Sequence, residues 1–365
     1  MHKRFFFGFS HWKHDFIRNF FSGIQRENII FINPFFKKNY FKLALHKGLD
    51  TNSSIYIWGR KSFPEIEKYA EQNNVKLYRI EDGFIRSVGL GSDLTQPYSL
   101  VIDSRGIYFD PTQESDLEHI LQNHDYDEKL LQRAKNLRQY LIEKKLSKYN
   151  LYENKTLDIP QDKKIVLVPG QVEDDASIKF GASQMTNLEL LKRSRSNAQD
   201  AYIIYKPHPD VLVGNRVGNI DEQEALKYAD RVVTEVGLES VLEVCDEVHT
   251  MTSLVGFEAL MREKKVFTYG MPFYAGWGLT QDALSLQRRQ RKLLLDELVS
   301  ATLILYPKYI DPITFSSCEV EALLEKLDAE KKLYDSSSSY RIKLKIRNFI
   351  SRKSQLLLRI ITLKN

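Results

Sequence analysis

Carboxylates, an amide, a histidine and hydroxyls fall at the ends of short apolar runs in this chain, where side chains are held in place yet reach a ligand. Val168-Pro-Gly-Gln-Val-Glu-Asp-Asp-Ala-Ser177 carries three acids and Gln171 directly after KKIVLV (163–168). Gln171 and Asp175 stand four apart and share a face if a helix has begun there. The alternative is an exposed acidic loop whose carboxylates cap the next helix. Glu81-Asp82-Gly83 follows VKLYRI (75–80), with Arg86 close behind, and offers an acid or base for catalysis or simply a turn. Lys206-Pro207-His208-Pro209-Asp210 follows another apolar run. Its prolines hold the backbone extended, so His208 is presented at a fixed position beside Lys206 and suits an anion. In Thr250-Met-Thr-Ser-Leu-Val-Gly-Phe-Glu-Ala-Leu260, Thr252 or Ser253 would cap a helix whose free N–H groups form a phosphate site. An ordinary cap is compatible with that reading.

The combination points to a phosphate-bearing donor, with Asp and Glu left for the reaction. No Walker lysine motif is present and no G-x-G-x-x-G follows a strand, which argues against P-loop hydrolysis and dinucleotide redox work. A sugar nucleotide is the natural candidate. Tyr269-Gly-Met-Pro-Phe-Tyr-Ala-Gly-Trp-Gly-Leu279 suits stacking on a sugar or base, or is a packed loop.

The elements that must position these residues alternate along the chain. Strands are expected at 27–33, 54–58, 75–80 and 98–103, and again at 106–109 across a tight turn at 104–106. Helices are expected at 63–72, 115–122 and 126–146. Beyond a polar stretch at 147–162, strands at 163–168, 201–206, 231–234, 247–250 and 265–269 alternate with helices, and helices at 293–305 and 320–333 close the fold. This pattern predicts an α/β protein with two Rossmann-like domains, their parallel sheets facing a cleft. The expected division is 1–150, 151–335 and a tail at 336–365.

Length supports two domains of about 150 residues each. Apolar residues at 42% and charged residues at 28% exclude disorder. The net charge of +5 is concentrated in the tail, where eight Lys or Arg and no acid follow Ser336. That tail is either a frayed basic end or an amphipathic helix on an anionic membrane surface. Cys245 and Cys318 have neither metal nor disulfide spacing, which points to a reducing compartment and no metal. No apolar run reaches the length of a membrane span and no clean signal peptide is present, so a cytoplasmic protein is expected. Nucleic-acid binding is disfavoured, because the basic residues lack strand-borne aromatics.

Seven segments together resemble the KpsC-type capsule polysaccharide enzymes, retaining β-Kdo transferases. They are EDGFIRSVGLGSDL (81–94), SLVIDSRGIYFD (99–110), LSKYNL (146–151), VPGQVEDDASI (168–178), YKPHPDVLVGNR (205–216), HTMTSLVGFEAL (249–260) and YGMPFYAGWGLT (269–280). The similarity covers about residues 50–315 and is nearest the C-terminal of the family's two modules. It implies a GT-B fold, with CMP-β-Kdo as donor substrate, no cofactor, and a Kdo-bearing phosphatidylglycerol glycolipid as acceptor. It implies Asp175 as nucleophile of a double displacement, with Gln171 beside it. His208, Ser253 and Thr252 fall on the departing phosphate, with Lys206 adding charge. Glu81, with Asp82 as its neighbour, falls on the acid/base role, Arg86 on a Kdo carboxylate, and Glu258 on the ribose hydroxyls or a helix surface. Family members carry two modules, whereas this sequence shows one, which implies one linkage type and partnership with other capsule assembly enzymes at the inner membrane, or the addition of a single Kdo. The competing readings are a transferase for another CMP-activated acidic sugar such as sialic acid, and a non-catalytic capsule assembly or export component.

Overall fold

The protein is described from a computed structural model, which covers residues 2–33, 39–87, 95–146, 157–212, 214, 216–337 and 339–340. The chain divides into two compact units. The first begins with β1 (Arg4–Phe7), α1 (Lys13–Phe20), β2 (Ile29–Ile32), α2 (Tyr40–His46), β3 (Ser54–Trp58), α3 (Pro64–Gln72), β4 (Lys76–Asp82) and β5 (Ser99–Asp103). RFFF, the sequence of β1, is short and lacks polar and apolar alternation, so the sequence reading misses it. Burial explains it: Phe5, Phe6 and Phe7 are all fully buried, and Phe6 stacks on Tyr56 of β3 at 4.7 Å.

The second unit starts with α4 (Asp116–Asn123) and α5 (Glu128–Glu143), each capped by an acidic or hydroxyl side chain, Ser115 and Asp127. Next come β6 (Ile165–Pro169), α6 (Ala176–Gly181), α7 (Asn187–Asn197), β7 (Tyr202–Lys206), α8 (Pro209–Leu212), α9 (Glu222–Ala225) and β8 (Arg231–Val232). Then α10 (Leu238–Val244), β9 (Glu247–Thr250), α11 (Leu254–Met261), β10 (Lys265–Thr268), β11 (Gln281–Asp282) and α12 (Leu295–Val299) complete it. A π-helical turn over Ser300–Leu305 leads back to the first unit, to β12 (Pro307–Ile310), β13 (Ser317–Cys318) and α13 (Val320–Ser336).

This division corrects the expected boundary at 150. Residues 108–147 group with 152–302, and the chain from 303 onward returns to the first unit. Specific polar contacts decide where the helices go. Arg138 of α5 donates to Asp296 at 3.1 Å and to the Met261 carbonyl at 3.1 Å, while buried Glu118 of α4 accepts from Arg289 at 3.0 Å. Helical periodicity states that a helix has a buried face, not which core receives it. The tail expected at 336–365 lies, from residue 341 onward, outside the described residues, as do residues 147–156 of the polar stretch at 147–162.

The α/β class is as expected, but the first sheet is mixed where a parallel one was expected. It has the order β13-β12-β5-β4-β3-β1-β2, parallel from β2 to β4 and antiparallel from β5 outward. The strand expected at 106–109 does not form. Asp103 instead accepts from the backbone N–H groups of Arg105 at 3.0 Å and Gly106 at 2.8 Å, and from the Tyr306 hydroxyl at 2.7 Å. The edge of β5 is thereby left for β12. The second sheet, β11-β10-β9-β6-β7-β8, is parallel throughout. Its order reverses between β6 and β9, and in open α/β sheets that reversal opens the ligand crevice at the strands' carboxyl ends.

Strand β9 carries a buried imidazole. Burial pulls His249 from 6.5 down to about 4, against the opposing pull of the Glu247 carboxylate. The unfolded imidazole takes up a proton below its ordinary value while the folded one refuses it, so the contribution is intact above pH 6.5 and is lost as pH falls toward 4. That loss amounts to up to about 3 kcal/mol. His249→Phe should flatten the fall in urea-unfolding free energy between pH 7 and 4.5, and an unchanged slope would show that other groups govern it.

Candidate functional site

The turn after β6 sorts its three acids into three different roles. Glu173 accepts from the backbone N–H of Asn187 at 2.7 Å and so caps α7. Asp174 is exposed and pairs with Arg216 at 3.0 Å. Asp175 is half-buried and is the N-cap of α6, where its Oδ2 accepts from the Ser177 N–H at 3.0 Å and the Ser177 hydroxyl at 2.7 Å. Its Oδ1 accepts no hydrogen bond among the described residues. One oxygen is therefore fixed and the other is left to act.

Gln171 does not share a helix face with Asp175. The helix begins only at Ala176, and Asp175 itself is extended, with φ −73° and ψ 150°. Gln171 instead lies buried across the switch point. Its Nε2 donates to Thr252 Oγ1 at 3.0 Å, and its Oε1 accepts from the Thr252 N–H at 2.9 Å and from the Thr250 hydroxyl at 3.4 Å. The amide thus ties the end of β6 to the end of β9. Asn187, which the sequence reading does not single out, clamps the same turn. Its side chain accepts from the Gln171 N–H at 2.8 Å and donates to the carbonyls of Gln171 and Gly218, each at 2.8 Å. Only its buried position marks it; the visible signals in sequence are Asp175-x-Ser177 and Thr186 ahead of a helix.

Ser253 is the N-cap of α11, accepting from the Val255 N–H at 3.2 Å, while its own N–H donates to Thr250 Oγ1 at 3.2 Å. The aromatic segment at 269–279 is a packed support. The Tyr274 hydroxyl donates to the Ser253 carbonyl at 2.5 Å, and Tyr274 and Trp277 are fully buried. A Cβ at Gly256 would lie 2.2 Å from that hydroxyl, so only glycine lets α11 approach the ring. Glu258 is also buried on α11, which excludes its reading as a helix-surface acid.

Beside the turn, the Gly170 N–H donates to the Lys206 carbonyl at 2.8 Å, bringing the ends of β6 and β7 together. The Asp210 N–H donates to His208 Nδ1 at 3.1 Å, so the neutral ring carries its proton on Nε2. Lys206 Nζ donates to the Val236 carbonyl at 2.6 Å, and burial pulls it down to about 8, opposed by the Glu235 carboxylate. It remains a cation at neutral pH. Among the described residues no group of His, Cys, Asp and Glu converges to hold a metal ion.

In the first unit, Glu81 and Asp82 are the last two residues of β4 rather than part of a following turn. Glu81 Oε1 accepts from the Asp82 N–H at 3.1 Å. A Cβ at Gly83 would lie 2.2 Å from Ser99 Oγ, so the strand leaves the sheet at a position that only glycine fits. Arg86 is fully buried and does not present a ligand-binding fork. Its Nε donates to Asp82 at 2.8 Å, and its two remaining nitrogens donate to Ser87 at 3.1 Å and to the Thr95 carbonyl at 2.6 Å. Arg86, expected on a substrate carboxylate, is buried here and anchors the segment after β4.

Residues 53–309, more than half of the chain, match the family described as capsule polysaccharide biosynthesis protein. The chain belongs to this family. As a capsule polysaccharide biosynthesis protein it is 48% identical over 298 residues to the capsule polysaccharide modification protein LipA of Neisseria meningitidis, a match covering 81% of this chain and 42% of that one. The chain thus spans less than half the length of that relative. It is 38% identical over 330 residues to the lipopolysaccharide-processing protein LpsZ of Rhizobium meliloti, covering 89% of this chain and 74% of that one. Among solved structures, the β-Kdo 2,7 transferase of Thermosulfurimonas dismutans KpsC matches with a TM-score of 0.73 at 38% identity, covering 90% of this chain and 99% of that one. The β-Kdo 2,4 transferase of the same KpsC matches with a TM-score of 0.73 at 28% identity, covering 88% and 97%.

Replacing Gln171 with Leu would leave the half-buried Thr252 N–H without its acceptor, at a cost of about 1 kcal/mol. Gln171→Leu should therefore lower the melting temperature and speed amide exchange over residues 250–256, read by mass spectrometry. Unaltered exchange there would mean that the loop is held by other contacts.

Proposed function

We propose that this chain transfers Kdo from CMP-β-Kdo to a Kdo-bearing glycolipid acceptor of a capsular polysaccharide, with retention at the anomeric carbon. The observation that carries the reading is the divided state of Asp175, with Oδ2 anchored by Ser177 and Oδ1 unclaimed at the mouth of the sheet's switch point. The similarity to β-Kdo transferases over nine-tenths of the chain supports it.

In this reading Asp175 Oδ1 attacks the anomeric carbon of the donor, and the bond from that carbon to the phosphate oxygen breaks with its electron pair leaving on CMP. His208 donates through Nε2–H to the departing phosphate, which also meets the hydroxyls of Thr252 and Ser253 at the positive end of the α11 dipole. Lys206 adds positive charge, and Glu258 accepts from the ribose hydroxyls. Gln171 acts by holding Thr252 in place. The acceptor hydroxyl then gives its proton to Glu81 and attacks the same carbon, releasing the Asp175 carboxylate. Two inversions give retention. The higher identity to the 2,7 than to the 2,4 transferase favours attachment to the acceptor's 7-hydroxyl. A glycolipid acceptor places the work at the inner-membrane surface; among the described residues no helix is long and apolar enough to cross a membrane.

Mass spectrometry of protein incubated with CMP-Kdo and no acceptor should find a Kdo adduct on Asp175. Asp175→Ala should lose the adduct and at least about 1,000-fold in transfer rate, while Asp174→Ala, which removes only a surface ion pair, should retain both. Turnover with CMP-sialic acid and none with CMP-Kdo would overturn the donor assignment.

A further inference from the structure

The first sheet has a switch point of its own, between β1 and β3, because the chain runs from β1 outward to β2 and then returns through β3 to β4. Lys13, the first residue of α1, and Trp58, the last of β3, meet there. The Lys13 ammonium sits over the Trp58 ring at 2.9 Å from its centroid and lies 5.5 Å from that of Trp12. Such a position is unfavourable for a cation on two counts: the helix dipole is positive at that end, and the side chain is half-buried.

Charges around it account for its retention. The carboxylates of Asp82 and Glu81 favour the ammonium, while Lys61 and Arg86 oppose it. Burial is the larger influence and pulls the amine from 10.5 to about 8, which leaves it protonated at neutral pH. The neighbours are committed elsewhere. Arg86 is bound to Asp82, and Lys61 donates to the Gly8 carbonyl at 2.5 Å. Lys13 Nζ, by contrast, donates no hydrogen bond to any described residue. Three cations, Lys13, Lys61 and Arg86, thus stand against the two carboxylates of Glu81 and Asp82, and of the three it is the Lys13 side chain that makes no hydrogen bond among the described residues.

We infer that Lys13 is the residue that receives the carboxylate of the acceptor sugar, beside Glu81 at the switch point of the first sheet. The inference rests on the transferase reading above and supplies the anion-binding group that buried Arg86 does not. Trp58 holds the ammonium by its π face and leaves the N–H donors for the ligand. The excess of positive charge fits an acidic sugar.

The test compares two synthetic acceptors, a Kdo glycoside and its methyl ester, at fixed CMP-Kdo. The wild type should favour the free carboxylate by about 10- to 100-fold in kcat/KM. Lys13→Met, which keeps an apolar stem on Trp58, should lose that preference through a raised KM for the charged acceptor, and Lys13→Arg should restore it. Lys13→Gln provides a second neutral variant should Lys13→Met melt well below the wild type. A neutral variant that keeps the full preference, or a wild type without one, overturns the assignment. If the wild type transfers to neither acceptor and shows no adduct on Asp175, the transferase reading falls and takes this one with it.

Discussion

A single buried amide holds the candidate site together. Gln171 leaves the end of β6 and exchanges hydrogen bonds in both directions with Thr252, beyond β9, so two strands distant in sequence become one rim. An amide does this because it carries a donor and an acceptor on one planar group. A carboxylate or a lysine could supply only half of the pair. The flanking elements then follow: Asn187 clamps the turn from α7, and Tyr274 holds the Ser253 carbonyl from behind.

That arrangement separates structural charge from available charge within three consecutive residues. Glu173 and Asp174 are consumed by a helix end and a surface arginine, whereas Asp175 is held by one oxygen alone. The first unit does the same with cations: Arg86 and Lys61 are spent on the protein, and Lys13 rests on an aromatic face.

Much of this was legible in the sequence. The strand-end motifs around Asp175, His208, Ser253 and Glu81 stand where alternating apolar runs place them, and the α/β class follows from that alternation. Three things were not. RFFF builds an interior strand whose neighbours bury it, and its four residues are too few and show no polar and apolar alternation by which to read it. Helices α4 and α5 join the second unit through Arg138 and Glu118, contacts across more than a hundred residues. Arg86 reads as a ligand-binding group from its type and position, and only the fold reveals that it is buried, with each of its three nitrogens bonded to the protein, at Asp82, Ser87 and the Thr95 carbonyl.

The contact between Gly256 and Tyr274 bears on how the family can diverge. A methyl group at 256 has no room while the tyrosine is present, and shortening the tyrosine first releases the Ser253 carbonyl that it holds. Neither first step is neutral, so the two positions form an epistatic pair separated by a fitness valley. Drift should carry them together or leave both unchanged.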